Sequence, residues 1–402
     1  MPVFLPLRQA LCLVLVALAT LTGCEQPSTV VLDQQVYIWQ RQWRPAHAQA
    51  LMQSRNDFST LRVLAAQMHP REGWIHARLD PSVLKQDGRP VIAVVRLDGQ
   101  LPRLDSAALA GHLQTLIRTW RAQGLAIGGV EIDHDCASSR LHEYAAVLHT
   151  LRNQLPKDVA LSITALPAWL GSPALPAVLA EVDSSVLQVH AVSRPTQGLF
   201  EPAQALRWAT AYGAITPKPF LLALPAYGVA LTDSGEVESE APLMQGGGRR
   251  ELQADPQKVA TLLENLQDAS VANLTGLIWF RLPLAGDRRA WPLATLQAVV
   301  HQQPLRSDLQ VEVQQLGALY EVRVVNRGNL SAPLPSDIHG SGKGCEAADG
   351  VQGFRVEQSF DSLHFKRPQS GTQSRHLLAG QSRAVGWARC QQLDQGGFSA
   401  NP

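Results

Sequence analysis

Gly128-Gly129-Val130-Glu131-Ile132-Asp133-His134-Asp135 decides how the rest of the chain is read. Apolar and charged residues alternate through it, the period of two expected when successive side chains of a strand point to opposite faces. Val130, Ile132 and His134 form one set; Glu131, Asp133 and Asp135 form the other. Three carboxylates on one side of a strand repel one another and are costly to bury. A stable fold keeps such a row where water, an ion or a ligand reaches it. Three readings stay open at this point: a catalytic or ligand-binding row, a structural ion or hydrogen-bond cluster, and an ordinary surface strand.

Working outward, apolar β-rich runs recur at 37–43, 61–68, 91–97, 127–135, 160–166, 186–192, 220–224 and 276–282. Helical patterns separate most of them. Residues 106–123 follow Asp105, a good N-cap type, and carry Leu109, Leu113, Leu116, Ile117 and Trp120 at helical spacing. Residues 139–155 place Leu141, Tyr144, Leu148 and Leu151 on one stripe, and Pro156 stops it. Helices are also expected at 202–212, 256–266 and 292–301, with a short one at 81–85. Strands alternating with helices over this span predict a (β/α)₈ TIM-type barrel, residues 35–303; a doubly wound sheet is the alternative. No Gly-x-Gly-x-x-Gly follows a first strand, and Gly246-Gly247-Gly248 has no P-loop lysine, so a dinucleotide or phosphate-loop site has no support.

From residue 304 to 402 the texture changes to short alternating strands, expected at 309–313, 319–325, 354–358, 363–366 and 385–389 with glycine and proline turns between. That pattern predicts a small C-terminal all-β, sandwich-like domain. Cys345 and Cys390 both fall in it and are a candidate disulfide, while Cys136 is left single.

The chain has 402 residues, 45% hydrophobic, with a formal net charge of +1. It shows no basic stripe, which argues against a nucleic-acid partner. The first 23 residues read as an export signal: Arg8, then an apolar run too short for a convincing membrane span. Leu21-Thr22-Gly23-Cys24 closes it and resembles the lipobox of bacterial lipoproteins. That resemblance implies cleavage before Cys24, lipid on its thiol, a tether over 24–34, and attachment at the periplasmic face of the outer membrane. The sequence says nothing of oligomeric state.

Working residues of barrels lie at the C-terminal ends of the strands. Those ends offer Trp39, Arg41, Arg96, Asp98, Asp133, Asp135, Gln188, His190, Tyr227, Trp279 and Arg281. Aromatic faces stack on sugar rings, and acids and amides bind hydroxyls, so the expected ligand is a polysaccharide or oligosaccharide. Residues two apart on a strand are separated by roughly 6.6–6.8 Å, within reach of the carboxylate spacings of glycoside cleavage. Asp135 at the mouth is the candidate general acid, its pKa raised by Asp133. Asp133 would orient or stabilise, and Glu131, deepest, would bond to an arginine or the backbone. Metal hydrolysis would need histidines joining these acids, and His134 points the other way; no metal and no cofactor are expected.

Gly-Val-Glu-Ile-Asp-His-Asp resembles the fourth-strand signature of family 18 chitinases, roughly Asp-Gly-x-Asp-x-Asp-x-Glu. The match sets Glu131 on the second aspartate, Asp133 on the third and Asp135 on the terminal acid, and places Trp279 like the tryptophan that lines the sugar site. Gly128 stands for the first aspartate, Asp135 is one methylene shorter than glutamate, and Gln188 and His190 replace a tyrosine–aspartate pair. A resemblance over most of the chain after the signal is to the domain-of-unknown-function 3142 family of exported bacterial proteins. It is carried by Val-Glu-Ile-Asp-His-Asp with Leu141 and Tyr144, by Leu161-Ser162-Ile163-Thr164-Ala165-Leu166, and by Gln188-Val189-His190. It implies a glycosidase-like barrel with no assigned reaction. An active glycosidase and a catalytically inactive glycan-binding or scaffold lipoprotein both fit.

Overall fold

The computed structural model describes residues 31–190, 198–232, 237–238, 249–287, 289–368, 376–394 and 396–401. The signal, Cys24 and the glycine run at 246–248 lie outside the described residues. Leu32–Pro402 clusters as one compact unit.

Eight parallel strands close a ring. They are β1 (Asp33–Ile38), β2 (Thr60–His69), β4 (Val91–Leu97), β5 (Ile127–His134), β6 (Ala160–Ala165), β7 (Ser184–Gln188), β8 (Phe220–Pro225) and β12 (Leu274–Phe280), with β12 pairing back onto β1. The expected TIM-type barrel is therefore the observed one. Four further strands of this region are not part of the ring. β3 (Gly73–His76) turns back antiparallel on β2, and β9 (Gly228–Thr232) makes a small antiparallel sheet with β10 (Val237–Glu238) and β11 (Arg249–Gln253).

The helices form because their apolar residues recur on one face, and most begin on a proline or an Asx cap. α3 (Ser106–Ala122) is capped by Asp105, whose carboxylate accepts from Ala107 N and Ala108 N. It buries Leu109, Leu113, Leu116, Ile117 and Trp120. α4 (Leu141–Gln154) buries Leu141, Tyr144, Leu148 and Leu151. α2 (Pro81–Asp87), α6 (Pro202–Ile215), α7 (Pro256–Ala269) and α8 (Leu293–Val300) repeat the pattern. Two helices carry no such expectation: α1 (Pro45–Gln53) and α5 (Leu175–Ala180). Strand and helix faces together make one continuous apolar shell around the ring.

Inside the ring the register aligns polar neighbours. β1–β2 pairing sets Tyr37 against Arg62, β5–β6 sets Glu131 against Ser162, and β4–β5 sets Arg96 against Asp133. A separate small cluster of Tyr37, Trp39, Leu64, Val94, Val186, Leu221, Ala223 and Ile278 fills the remaining interior.

The C-terminal region is an antiparallel sheet system. β13 (Leu309–Leu316), β14 (Leu319–Asn326), β20 (Ser382–Leu393), β16 (Asp337–Gly350), β18 (Ser362–Lys366) and β17 (Arg355–Gln358) follow in that order, with β21 (Ser399–Asn401) on β16. β15 (Ala332–Pro333) and β19 (His376–Leu377) pair apart. The 14-residue β16 uses its first half against β18 and its second half against β20. Phe365 of β18 consequently packs over Gly386 of β20, where an added Cβ would lie 2.0 Å from the ring. A disulfide joins Cys345 to Cys390 across β16 and β20. The loop after β14 is tied to α8 by Thr295 Oγ1, which donates to Asn329 O at 2.7 Å.

Candidate active site

Glu131 lies at the floor of the barrel mouth, fully buried. Arg62 Nη1 donates to its Oε2, and Tyr37 OH donates to Oε1 at 2.7 Å. Arg62 also donates to Ser162 Oγ at 3.2 Å and, through Nε, to Gln35 Oε1 at 2.9 Å. Burial pushes the Glu131 carboxyl up, and Arg62 and Tyr37 pull it back. Both carboxylate oxygens already have protein partners, which makes this a structural plug rather than a reacting group.

One pleat higher, Asp133 is 2% exposed. Its Oδ1 accepts from Thr164 Oγ1 at 2.6 Å and from Gln188 Nε2 at 3.3 Å, and Arg96 Nε stands 3.9 Å from Oδ2. Asp135 follows just past the strand end. Its side chain is 38% exposed, with Arg96 Nη2 3.7 Å from Oδ2. Partial burial, and then the negative charge of Asp133, push Asp135 up to about 6 against the pull of Arg96; Asp98 adds to the rise. Arg96 therefore spans the two aspartates, and its guanidinium also lies over Trp39, 5.8 Å from the ring centre. Gly99 lets the loop after β4 close on this point, since a Cβ there would lie 2.1 Å from the Asp135 carbonyl oxygen.

Opposite the acids stands an aromatic wall centred on Phe280. Trp39 meets it edge-on at 5.0 Å, Tyr37 at 5.8 Å and Tyr227 at 5.5 Å, and His190 stacks on it at 5.4 Å. His190 Nδ1 lies 3.2 Å from Tyr227 OH, and burial lowers the imidazole to about 4, so it is neutral near pH 7. Acids and aromatics enclose a cavity of about 220 Å³, whose rim includes Arg281 and Arg289. Arg281 Nη2 is fixed by Asp287 Oδ2 at 2.8 Å.

Of the residues expected from sequence, Asp133, Asp135, Trp39, Arg96, Gln188, His190, Tyr227 and Arg281 meet in this cavity. Three do not. Trp279 is fully buried on the outer face of β12, where its indole donates to Gln34 Oε1 at 2.8 Å and neighbours Trp291. The interior face of β12 carries Ile278 and Phe280, so Phe280 occupies the place expected for Trp279. Arg41 is exposed beyond the end of β1, because the strand stops at Ile38 rather than at residue 43. Trp43, the last residue of the expected strand at 37–43, stacks instead on His47 at 4.8 Å. Asp98 stays outside the cavity, turned to cap Gln100 N at 2.8 Å and 3.9 Å from His69 Nδ1. Sequence reading missed Tyr37, Phe280 and Arg289 as lining residues. The alternation of β1 and β12, read with the true strand ends, carries the first two; Arg289 comes from a loop with no such signal.

The thiol of Cys136 is buried and pushed up to about 11, chiefly by that burial, which leaves it a poor nucleophile. His134 is buried away from the acids, with Nδ1 3.1 Å from Leu97 O. No helix among the described residues is long and apolar enough to cross a membrane.

Comparison with known proteins adds the following. The model of the family described as Domain of unknown function (DUF3142) matches residues 87–285, and that of Domain of unknown function (DUF8456) matches residues 309–391. No curated protein matches the sequence. Among solved structures, the spore cortex-lytic enzyme SleL of Bacillus cereus superposes with a TM-score of 0.51 at 10% identity, over 67% of this chain and 74% of that one. SleL of Bacillus megaterium gives 0.50 at 12%, over 64% and 72%. A chitinase of Chromobacterium violaceum gives 0.47 at 13%, over 68% and 98%. At these identities the likeness is one of fold, the (β/α)₈ barrel. Through residues 87–285, the barrel of this chain is thus similar to the family described as Domain of unknown function (DUF3142).

Proposed function

We propose that the protein is a lipid-anchored envelope protein whose barrel binds and cleaves a polysaccharide, with Asp135 as general acid. The carrying observation is the asymmetry of the two aspartates. Asp133 is buried and accepts two hydrogen bonds at one oxygen, which fits a group that stays an acceptor and steadies positive charge. Asp135 is partly open and pushed up to about 6, which fits a group that holds a proton near neutrality and hands it to a leaving oxygen. The aromatic wall gives the apolar face of one sugar ring a surface to lie on, and the cavity is on the scale of one ring. The SleL and chitinase barrels are named for cortex lysis and chitin cleavage, so a chitooligosaccharide and a muropeptide are the first ligands to try.

A catalytically silent glycan-binding barrel is the second reading, favoured by Asp135 having one methylene fewer than a glutamate. Binding and turnover are measured separately for the parent chain and for Asp135→Asn. The enzyme reading expects turnover in the parent and a loss of about 10²–10⁴-fold in the variant, with binding kept. Unchanged turnover removes Asp135 as the acid. Binding without turnover in the parent leaves the silent barrel. Anchoring at Cys24 on the periplasmic face of the outer membrane is tested by palmitate labelling of the parent and of Cys24→Ala, followed by membrane fractionation.

A further inference from the structure

The outward face of the C-terminal sheet holds a second group of chemically able side chains, remote in sequence from the barrel acids. The register places Ser399, His339, His364 and Glu357 in one row across β21, β16, β18 and β17. The next row on the same face is Asn401, Asp337, Lys366 and Arg355. Between these rows the strands send Ile338, Phe365 and Val356 to the core side. Asp337, His339 and His364 thus project together from two neighbouring strands, and one ligand atom of each lies within 4.8 Å of the others.

Four details distinguish this group from a chance surface cluster. Asp337 Oδ1, His339 Nδ1 and His364 Nδ1 are each shielded from water, and none has a hydrogen-bond partner among the described residues. Such atoms are costly to leave unsatisfied, and here three of them belong to one cluster whose two imidazole rings lie 5.5 Å apart. The other nitrogen of His339, Nε2, lies 3.0 Å from Ser399 Oγ. With Nε2–H donating to that hydroxyl, Nδ1 turns its lone pair inward, the outer-shell arrangement that orients metal-bound histidines. The nearest competing cation, Lys366, is held by Glu357, with Nζ 2.5 Å from Oε2. Asp337 Oδ1 and His364 Nδ1 stand 3.5 Å apart, close to the donor separation of roughly 3.4 Å in a tetrahedral site with bonds of about 2.1 Å.

We propose that Asp337, His339 and His364 form a divalent metal site of the zinc class, clamping β16 to β18 and leaving an open position toward solvent. Two imidazoles and one carboxylate suit a borderline ion such as Zn²⁺ and do not suit Mg²⁺ or Ca²⁺, which take oxygen ligands. The proposal does not depend on what the barrel does. It also departs from the sequence reading, which expected no metal, because the two histidines are 25 positions apart and only strand pairing joins them.

Isothermal titration of the full chain with ZnCl₂, after EDTA treatment, tests it, alongside His364→Gln and Asp337→Asn. Both substitutions sit on the solvent-facing side, and circular dichroism with an intact Cys345–Cys390 bond checks that each variant is folded. The expected result is one Zn²⁺ bound per parent chain, with affinity weakened at least about tenfold in each variant. Co²⁺ should give a d–d absorption band in the parent that His364→Gln lacks. A parent that takes up no zinc overturns the site. So does zinc bound with equal affinity by both variants, which would place the ion on other residues.

Discussion

Glu131 and Asp135 stand on the same face of one stretch, four positions apart, and have opposite surroundings. Glu131 is closed in by Arg62, Tyr37 and the barrel wall, and no part of it meets solvent. Asp135 keeps 38% of its side chain exposed and touches one arginine at 3.7 Å. The difference arises from position along the barrel axis. At the level of Glu131 the ring is filled by side chains from facing strands; at the level of Asp135 its own strand has ended, and the carboxylate stands half open beside Arg96 of β4. A row of acids that would be unstable if uniformly buried is thus tolerated by grading it, from a neutralised plug to an exposed acid. Each prediction below asks whether that gradient is real.

The largest effect is expected at the plug. Arg62→Met leaves Glu131 buried without its cation and should lower stability by about 3–5 kcal/mol in urea unfolding. Adding Glu131→Gln should recover most of that loss. If Arg62→Met is no more costly than Arg96→Met at the open end, the contrast between the two ends fails. Next comes the middle level. Thr164→Val keeps shape but removes the 2.6 Å hydrogen bond to Asp133. It should cost about 1.5–3 kcal/mol by the same measurement, the range for a hydrogen bond to a charged group. A near-neutral result would mean that Asp133 is already as solvated as Asp135.

How much of this was legible beforehand depended on the range of the interaction. The alternation of 128–135 is local, and it gave the strand and the shared face of its acids. The bounds of β4 were read correctly at 91–97 because the apolar run Val91–Val95, with Leu97, lies between turn signals. Strand ends were harder. Reading β1 as far as residue 43 gathered Arg41 and Trp43 with Trp39, whereas the chain leaves the sheet after Ile38. Reading β12 by its most prominent aromatic chose Trp279 over Phe280, one residue and one face away. β16 gave no signal, because its glycines, serine and alanines have poor strand propensity. Its strand state is imposed by its neighbours β18 and β20. The pairing of Arg62 with Glu131 spans 69 positions and follows from barrel closure alone.

A smaller effect should follow from the loop that borders the exposed acid. Gly99→Ala introduces a methyl group where 2.1 Å separates it from the Asp135 carbonyl oxygen, so that loop or Asp135 must move. The stability cost should be about 1–3 kcal/mol, as for other overpacked sites. Turnover or sugar binding should fall by a larger factor than the same loss of stability produces at Thr164. Equal effects on both readouts would mean that the position of Asp135 is not held by this contact.

The finest test is the pH dependence of Asp135 itself. Its carboxyl titrates near 6 in the folded chain and near the ordinary aspartate value of about 4 when unfolded. Between those values the folded state binds the proton more tightly, so ionisation removes stability as pH rises. Below about 4 both states are protonated, and above about 6 both are ionised with the penalty complete. Asp135→Asn resembles the protonated form at every pH. Its stability relative to the parent should therefore climb from pH 4 to pH 6 and then level off, with a slope that solvent at the exposed side chain keeps shallow. Turnover, if the barrel cleaves its glycan with this residue as acid, should fall in the parent as pH rises through about 6, where the acid loses its proton. A relative stability that is flat with pH would show that Asp135 is solvated like any surface aspartate, and the distinction between floor and mouth would then rest on Glu131 alone.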